Sequence, residues 1–472
     1  MSAVTRMMSF AATVRLLVQQ AWPILIAQWA GMAFGVMDTA MTGHASATDL
    51  AAMALAGSIY VTIFVGLMGV VHALIPIMAQ HFGAGRMREA GLAWSQGVWL
   101  ALGLAIAGGI CLLFPGPWLS LSGDVDPAVR QRIDGYLLAL VFALPAALMF
   151  RTVHALCTAV SRPKVVMSIN LVAVCLKAFF NWVLIYGKLG FPAMGAVGAG
   201  ISTALVFWIS LTLGMLVIRR DTYYAPLQLQ LRLPHWPTLR ELLRLGLPMG
   251  GSYLIEVIAF TFMALMIARG GIFVTGAHQI MANLVALCYM APMAVGIAAS
   301  AQTAQALGAG DHAQARRMGR AGMMLAVAAA LLNVVIVLVG RGPIAAAYTS
   351  DAQVALLAVS LFALLPWFHV ADAAQTLTVS LLRAYKIAFL PMLVQMVALG
   401  GIGLIGGWYA AFGPGRGMLA PVLAVLAPQA PTGAATLWAM ATVGMLLSLL
   451  LLQPVYWRVV RKAAVGQGAP AF

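Results

Sequence analysis

Leu365–Lys386 reads LPWFHVADAAQTLTVSLLRAYK, a long apolar run that opens on Leu-Pro and closes on Arg383 and Lys386. About 20 mainly apolar residues are enough to cross a bilayer as a helix. One carboxylate, Asp372, sits in the middle of the run. A carboxylate at membrane depth is costly unless something compensates it, so it marks function by default. Leu144–Lys164, LPAALMFRTVHALCTAVSRPK, has the same plan, from Leu-Pro to the basic pair Arg162 and Lys164. Counted from each Leu-Pro, Arg151 stands where Asp372 stands.

The whole chain shares this character. Of 472 residues, 63% are hydrophobic and 8% charged, where a soluble protein carries about 25% charged residues. Apolar runs of spanning length predict an all-α polytopic membrane protein with twelve transmembrane helices. The spans fall near residues 16–40, 51–79, 93–114, 133–158, 165–187, 195–218, 243–268, 276–306, 320–340, 353–382, 387–411 and 434–457. The 47 glycines suit close helix approach in a membrane. Span 1 is too long for a signal-peptide core and lacks a small-residue cleavage site, so it is expected to stay uncleaved.

An even span count puts both termini on one side. Most of the 27 Lys and Arg collect there: Arg6 and Arg15, Arg86 and Arg88, Arg162 and Lys164, Arg219–Arg244, Arg316–Arg320, Arg383 and Lys386, and Arg458–Lys462. The other side holds Arg130, Arg132, Lys188, Arg269, Arg341 and Arg416. This asymmetry predicts cytoplasmic termini. It also accounts for the net charge of +15 through topology, which argues against a nucleic-acid partner.

The two halves repeat. Pro23 and Pro248 open spans 1 and 7, and Gly83-Ala84-Gly85 and Gly308-Ala309-Gly310 close spans 2 and 8, each pair 225 residues apart. Six spans separate the copies, so both halves keep one orientation. They are expected as two six-helix lobes related by an axis along the membrane normal. The expected organisation is an N-lobe over 1–220, a polar, proline-bearing linker over 221–242 and a C-lobe over 243–472. The apolar, proline-rich segment Gly413–Gly433 joins spans 11 and 12 and suggests no function.

The acids carry the functional signal. Of the 12 Asp and Glu, most lie in loops or at span ends; Asp38 (span 1), Glu256 (span 7) and Asp372 (span 10) lie well inside. Each could be a structural hydrogen bonder. As a set they read better as ion-coupling carboxylates facing a wet cavity. Glu256 and Asp372 share a lobe, and if they meet they titrate as one coupled pair. Such a pair holds a proton, a sodium ion or an organic cation, but not all at once, which is the basis of antiport.

Asn181 and Thr203 add polar oxygens in spans 5 and 6. Lys177, one turn before Asn181, either pairs with Asp38 or snorkels to the interface. His369, three residues before Asp372, is the best placed histidine for a proton relay; His72 and His278 read as structural. Met32, Phe34, Phe260, Met290 and Phe368 could line a pocket for flat apolar cations. The four cysteines sit in apolar runs without ligand spacing. No Gly-x-x-x-x-Gly-Lys-Ser/Thr loop occurs. No cofactor is expected, and no enzyme.

With these residues in view, the chain resembles the multidrug and toxic compound extrusion (MATE) transporters, and within them the NorM-like branch. The matching motifs are Val36–Gly43 with Asp38, Gly246–Ser252 with Glu256, Gly276–Ile280, the Gly-Ala-Gly ends, and Asp372–Gln375 with Leu382–Lys386. The resemblance implies two lobes around a central cleft that work by alternating access. It implies export of cationic amphipathic compounds coupled to inward sodium or proton movement. It puts Asp38 and Asn181 on an N-lobe cation site, and Glu256 and Asp372 on a C-lobe site that could hold sodium. Some members carry a second acid where this chain has Ile185, and a tyrosine where it has Phe368. Both changes remove oxygen ligands and leave open a proton, or sodium over the Phe368 ring. The chain is expected to act as a monomer in the inner membrane. A lipid-precursor flippase would need more buried basic residues than Arg151 and Lys177. A prenyl-transferase-like membrane enzyme would need a surface Asp cluster that is missing, and a passive role leaves the three acids unexplained.

Overall fold

The computed structural model describes residues 9–119 and 126–465; Arg6, counted among the basic residues of the N-terminal side, lies outside them. Twelve helices are long and apolar enough to cross a membrane. Spans 1 to 6 are Phe10–Ala45, Ala47–Gly83, Met87–Leu113, Pro127–Ala159, Pro163–Tyr186 and Gly195–Arg220. Spans 7 to 12 are Trp236–Gly270, Ile272–Gly308, His312–Val339, Ala352–Ala384, Phe389–Ala411 and Thr432–Ala464. Every span expected from sequence is present, and several run a turn or more past the apolar core. Basic side chains in the last turn, Arg219 and Arg220 in span 6 and Arg461 and Lys462 in span 12, suit a helix C-terminus and let the helix continue into polar surroundings.

The chain forms two compact units. One is Trp22–Gly250 and the other combines the chain before it with the chain from Gly251 onward. The opening turns of span 1 thus pack with the second repeat, where the Gln314 amide reaches the Thr13 hydroxyl at 3.5 Å. The opening turns of span 7 pack with the first, where Gly246 and Gly250 lie against the span 2 backbone at Val70 and Gly66.

The peripheral acids build the frame. Asp126, Asp311 and Asp351 cap helix N-termini by accepting backbone N–H groups at 2.8 Å, each such cap being worth about 1 kcal/mol. Asp49 is paired with Arg132 and accepts from the Ala196 N–H at 3.1 Å, tying the starts of spans 2, 4 and 6 together. Asp134 and Glu89 form exposed local pairs with Arg130 and Arg86. These structural duties set them apart from Asp38, Glu256 and Asp372.

The linker is strapped to the first unit. Arg162 pairs with Asp221 at 2.7 Å and lies 3.9 Å over the Tyr223 ring. Further along, Trp99 Nε1 donates to the Arg232 carbonyl at 2.7 Å and Gln96 Nε2 to the Leu233 carbonyl at 3.0 Å. A side chain at Gly91 would collide with the Leu227 backbone carbonyl, which cannot rotate away. Gly91→Ala should therefore cost about 1–3 kcal/mol, read as a lower melting temperature in detergent.

Leu365, where the quoted stretch opens, is a structural junction. Span 10 runs as α-helix over Ala352–Leu361, tightens to a 3-10 turn at Phe362–Leu364 and resumes as α-helix over Leu365–Ala384. Pro366 sits at the start of the resumed helix, where its missing N–H costs nothing. The counterpart Pro145 lies inside an unbroken helix, Pro127–Ala159, so the two Leu-Pro signals are not structural equals. Span 11 winds as a π-helix over Met396–Gly406. Gly413–Gly433 contains a short helix, Ala420–Leu426, that buries Leu423 and Ala427 in the core of the second unit.

Candidate functional site

Each unit gathers its own intramembrane acids. In the first, Asp38 from span 1 is buried. Asn181 from span 5 donates its Nδ2 to Asp38 Oδ1 at 2.7 Å. Lys177, one turn earlier on span 5 and fully buried, pairs with the same oxygen at 2.8 Å. Its ammonium also donates to the Thr203 hydroxyl at 2.6 Å and the Ala199 carbonyl at 3.0 Å, both on span 6. The spacing of 177 and 181 puts both side chains on one helix face. Of the two readings of Lys177, pairing holds and snorkelling does not. Ile185, one further turn on, is buried and apolar.

Arg151 belongs to a separate cluster of the same unit. Its guanidinium lies 5.6 Å over Phe64, near Tyr60 and His154. The His154 ring stacks on His72 at 6.3 Å.

In the second unit Asp372 is buried and interacts electrostatically with Glu256. The two acids expected to share a lobe lie in one compact unit and within each other's electrostatic reach. Thr376, one turn later, donates to Asp372 Oδ1 at 3.4 Å. Tyr289 of span 8 lies in the field of both carboxylates. Arg383, read above only as a marker of topology, is buried. It donates to the Tyr253 hydroxyl at 3.2 Å and its charge acts on Glu256. His369 is also buried, but its hydrogen bond goes to Asn333 at 3.1 Å rather than toward Asp372.

Phe368 is held in an aromatic cluster that the sequence did not announce. Trp438 of span 12 meets it edge to face at 5.1 Å, Phe260 meets it at 6.0 Å, and His278 lies 5.8 Å from Trp438. Trp438 is wholly buried, and its indole N–H has no hydrogen-bond partner among the described residues. Beside the cluster an apolar pocket is lined by Phe260, Met263 and Ala441 together with Leu399 and Gly403 of the π-helix. π-Helical turns recur at functional sites. Trp438→Ala should cost about 3–5 kcal/mol. Trp438→Phe keeps an aromatic ring and removes the orphan donor, so it should cost much less, as thermal melts of the purified variants would show.

The MatE family model matches this chain twice, at residues 23–183 and 248–409, one match per repeat and each beginning on its proline. The chain belongs to the MatE family. The two MatE matches contain Asp38, Lys177 and Asn181 in the first copy and Glu256 and Asp372 in the second. A protein of Aromatoleum aromaticum described as "Probable multidrug resistance protein NorM" is 40% identical over 403 residues, covering 85% of this chain and 87% of that protein. A Neisseria meningitidis serogroup B protein of the same description is 32% identical over 435 residues, covering 91% and 94%. Among solved structures, the eukaryotic MATE transporter AtDTX14 superposes with a TM-score of 0.85 at 21% identity, covering 97% of this chain and 99% of that one. Vibrio cholerae VcmN in its bent form superposes with a TM-score of 0.82 at 19% identity, covering 97% and 99%. At these identities the structures speak for the fold alone. The family is one of transporters, and the chain is accordingly a multi-pass membrane transporter and not an enzyme.

Proposed function

We propose that this MatE protein exports cationic amphipathic compounds from the cytoplasm by antiport against sodium or protons, through alternating access. The observation that carries the reading is that spans 7 and 10, joined by the Arg383–Tyr253 hydrogen bond at 3.2 Å, bring Glu256 within electrostatic reach of the buried Asp372. Two carboxylates held together out of water repel each other. A proton, a sodium ion bound between them, or the positive group of a drug each relieves that repulsion. Because all three satisfy the same charges, they compete, and competition between an inward ion and an outward drug is what exchange requires. Asp38, Asn181 and Thr203 form the polar cluster of the first unit, where Asp38 is already paired with the Lys177 ammonium, and Phe368 sits one turn from Asp372. The relatives described as NorM multidrug resistance proteins support the drug class.

On this reading the protein sits in the inner membrane with both termini cytoplasmic, which the inward charge bias supports, and works as a monomer without a resident cofactor. The experiment is ethidium accumulation in cells lacking their own efflux pumps. Cells expressing the protein should hold less dye than empty-vector cells, and an ionophore that collapses both ion gradients should erase the difference. Equal accumulation with and without the expressed protein would reject the proposal.

A further inference from the structure

Lys177 has a place that neither antiport nor packing explains. It is a long, charged residue, 0% exposed, in the middle of a membrane helix. An ammonium has three N–H donors, and here each has an oxygen: the Asp38 carboxylate at 2.8 Å, the Thr203 hydroxyl at 2.6 Å and the Ala199 carbonyl at 3.0 Å. Asn181 Nδ2 fixes Asp38, and the Asn181 Oδ1, buried, has no hydrogen-bond partner among the described residues. Carboxylate, hydroxyl and backbone carbonyl oxygens around one positive centre are the donor types that hard metal cations take. The second unit differs. Asp372 has a second acid, Glu256, in its field, where Asp38 has an ammonium bonded to it.

We propose that Lys177 is a tethered cation: its ammonium fills an oxygen-lined monovalent-cation site in the first repeat, so that this repeat takes no free ion while the second remains open to one. The site is intact apart from its covalent occupant. Removing the lysine leaves the Asp38, Thr203 and Ala199 oxygens around the space the ammonium held, with an uncompensated negative charge, and a free sodium or potassium ion then binds. A lysine that served only to pack and pair would leave no such site behind. The inference rests on the antiport reading only for its consequence, that coupling ions enter through Glu256 and Asp372; the occupancy of the Asp38 site is measured without transport.

The test is equilibrium binding of radiolabelled sodium, and of rubidium as a tracer for potassium, to the purified full-length protein in detergent. Lys177→Ala should bind one more equivalent of one of these ions than the native protein, and Lys177→Ala with Asp38→Asn should lose that gain. Asp38→Asn alone should bind as much as the native protein. A folded Lys177→Ala that gains no ion overturns the proposal, and so does an Asp38→Asn protein that loses one. If Lys177→Ala fails to fold in choline chloride, purification in sodium or potassium chloride decides: recovery of folded protein in either salt but not in choline supports the proposal, and failure in all three overturns it. Failure of antiport itself would show instead in the efflux of Glu256→Gln and Asp372→Asn variants, whatever the Asp38 site binds.

Discussion

Glu256→Gln combined with Asp372→Asn abolishes uphill export of a lipophilic cation, while the protein still reaches the membrane. Both substitutions keep the shape of the side chain and remove its charge. The second unit then has no repulsion for an ion to relieve, and nothing for ion and drug to contest. Each single variant retains one carboxylate and should lose at least tenfold in efflux rate, about 1.4 kcal/mol by the tenfold rule. The loss in the double variant should fall short of the sum of the single losses, because the two groups act as one site. A melting curve separates lost coupling from lost folding, since Glu256→Gln also takes a carboxylate away from the buried Arg383 guanidinium. The measurement is initial efflux rate per molecule of protein in membranes, beside a melting curve of the same variants.

The second large effect is on stability, in the first unit. Lys177→Met should destabilise the purified protein by about 3–5 kcal/mol, because it strands a buried carboxylate that was paired. Asp38→Asn alone strands the ammonium and should cost a comparable amount. Removing both charges together should cost far less than the two single changes combined, because an apolar or neutral replacement of a whole buried pair is often close to neutral. A double-mutant cycle on thermal or denaturant unfolding checks it; additive losses would mean that the bond at 2.8 Å contributes little. Added sodium should raise the stability of Lys177→Met by more than it raises that of the native protein.

These two effects fall on residues of very different legibility. The three intramembrane acids stand out in the sequence because charge is rare in apolar runs, and the structure gives most of the peripheral acids capping or pairing roles that suit loops and span ends. The repeat was legible because prolines and glycines recur at a fixed offset, and the family model divides the chain at the same prolines. Lys177 was half legible: its spacing from Asn181 fixed the face it shares, but whether a lysine stem pairs inward or snorkels depends on what span 6 presents, here the Ala199 carbonyl and the Thr203 hydroxyl.

Other features had no signal to read. Trp438 is one of 12 tryptophans, and nothing in its neighbours says that it will wedge against Phe368. The π-helix at Met396–Gly406 is a change of winding, not of composition, and Gly400 and Gly401 hint at it only in hindsight. Arg383 was correctly seen as a basic helix end, yet its reach back to Tyr253 and its effect on Glu256 depend on the packing of spans 7 and 10. The swap of helix ends, with span 1 opening in one unit and continuing in the other, follows from packing choices that the hydrophobic pattern of one helix cannot express.

The central claim is that an ion entering at Glu256 and Asp372 drives the drug out. It is tested most directly in vesicles reconstituted with purified protein, loaded with a fluorescent cation, under sodium and pH gradients imposed separately. At least one of the two gradients should drive efflux against the dye's own gradient, and the Glu256→Gln/Asp372→Asn protein should show none. Uphill efflux that persists in that double variant, or that responds to neither gradient in the native protein, would contradict the account.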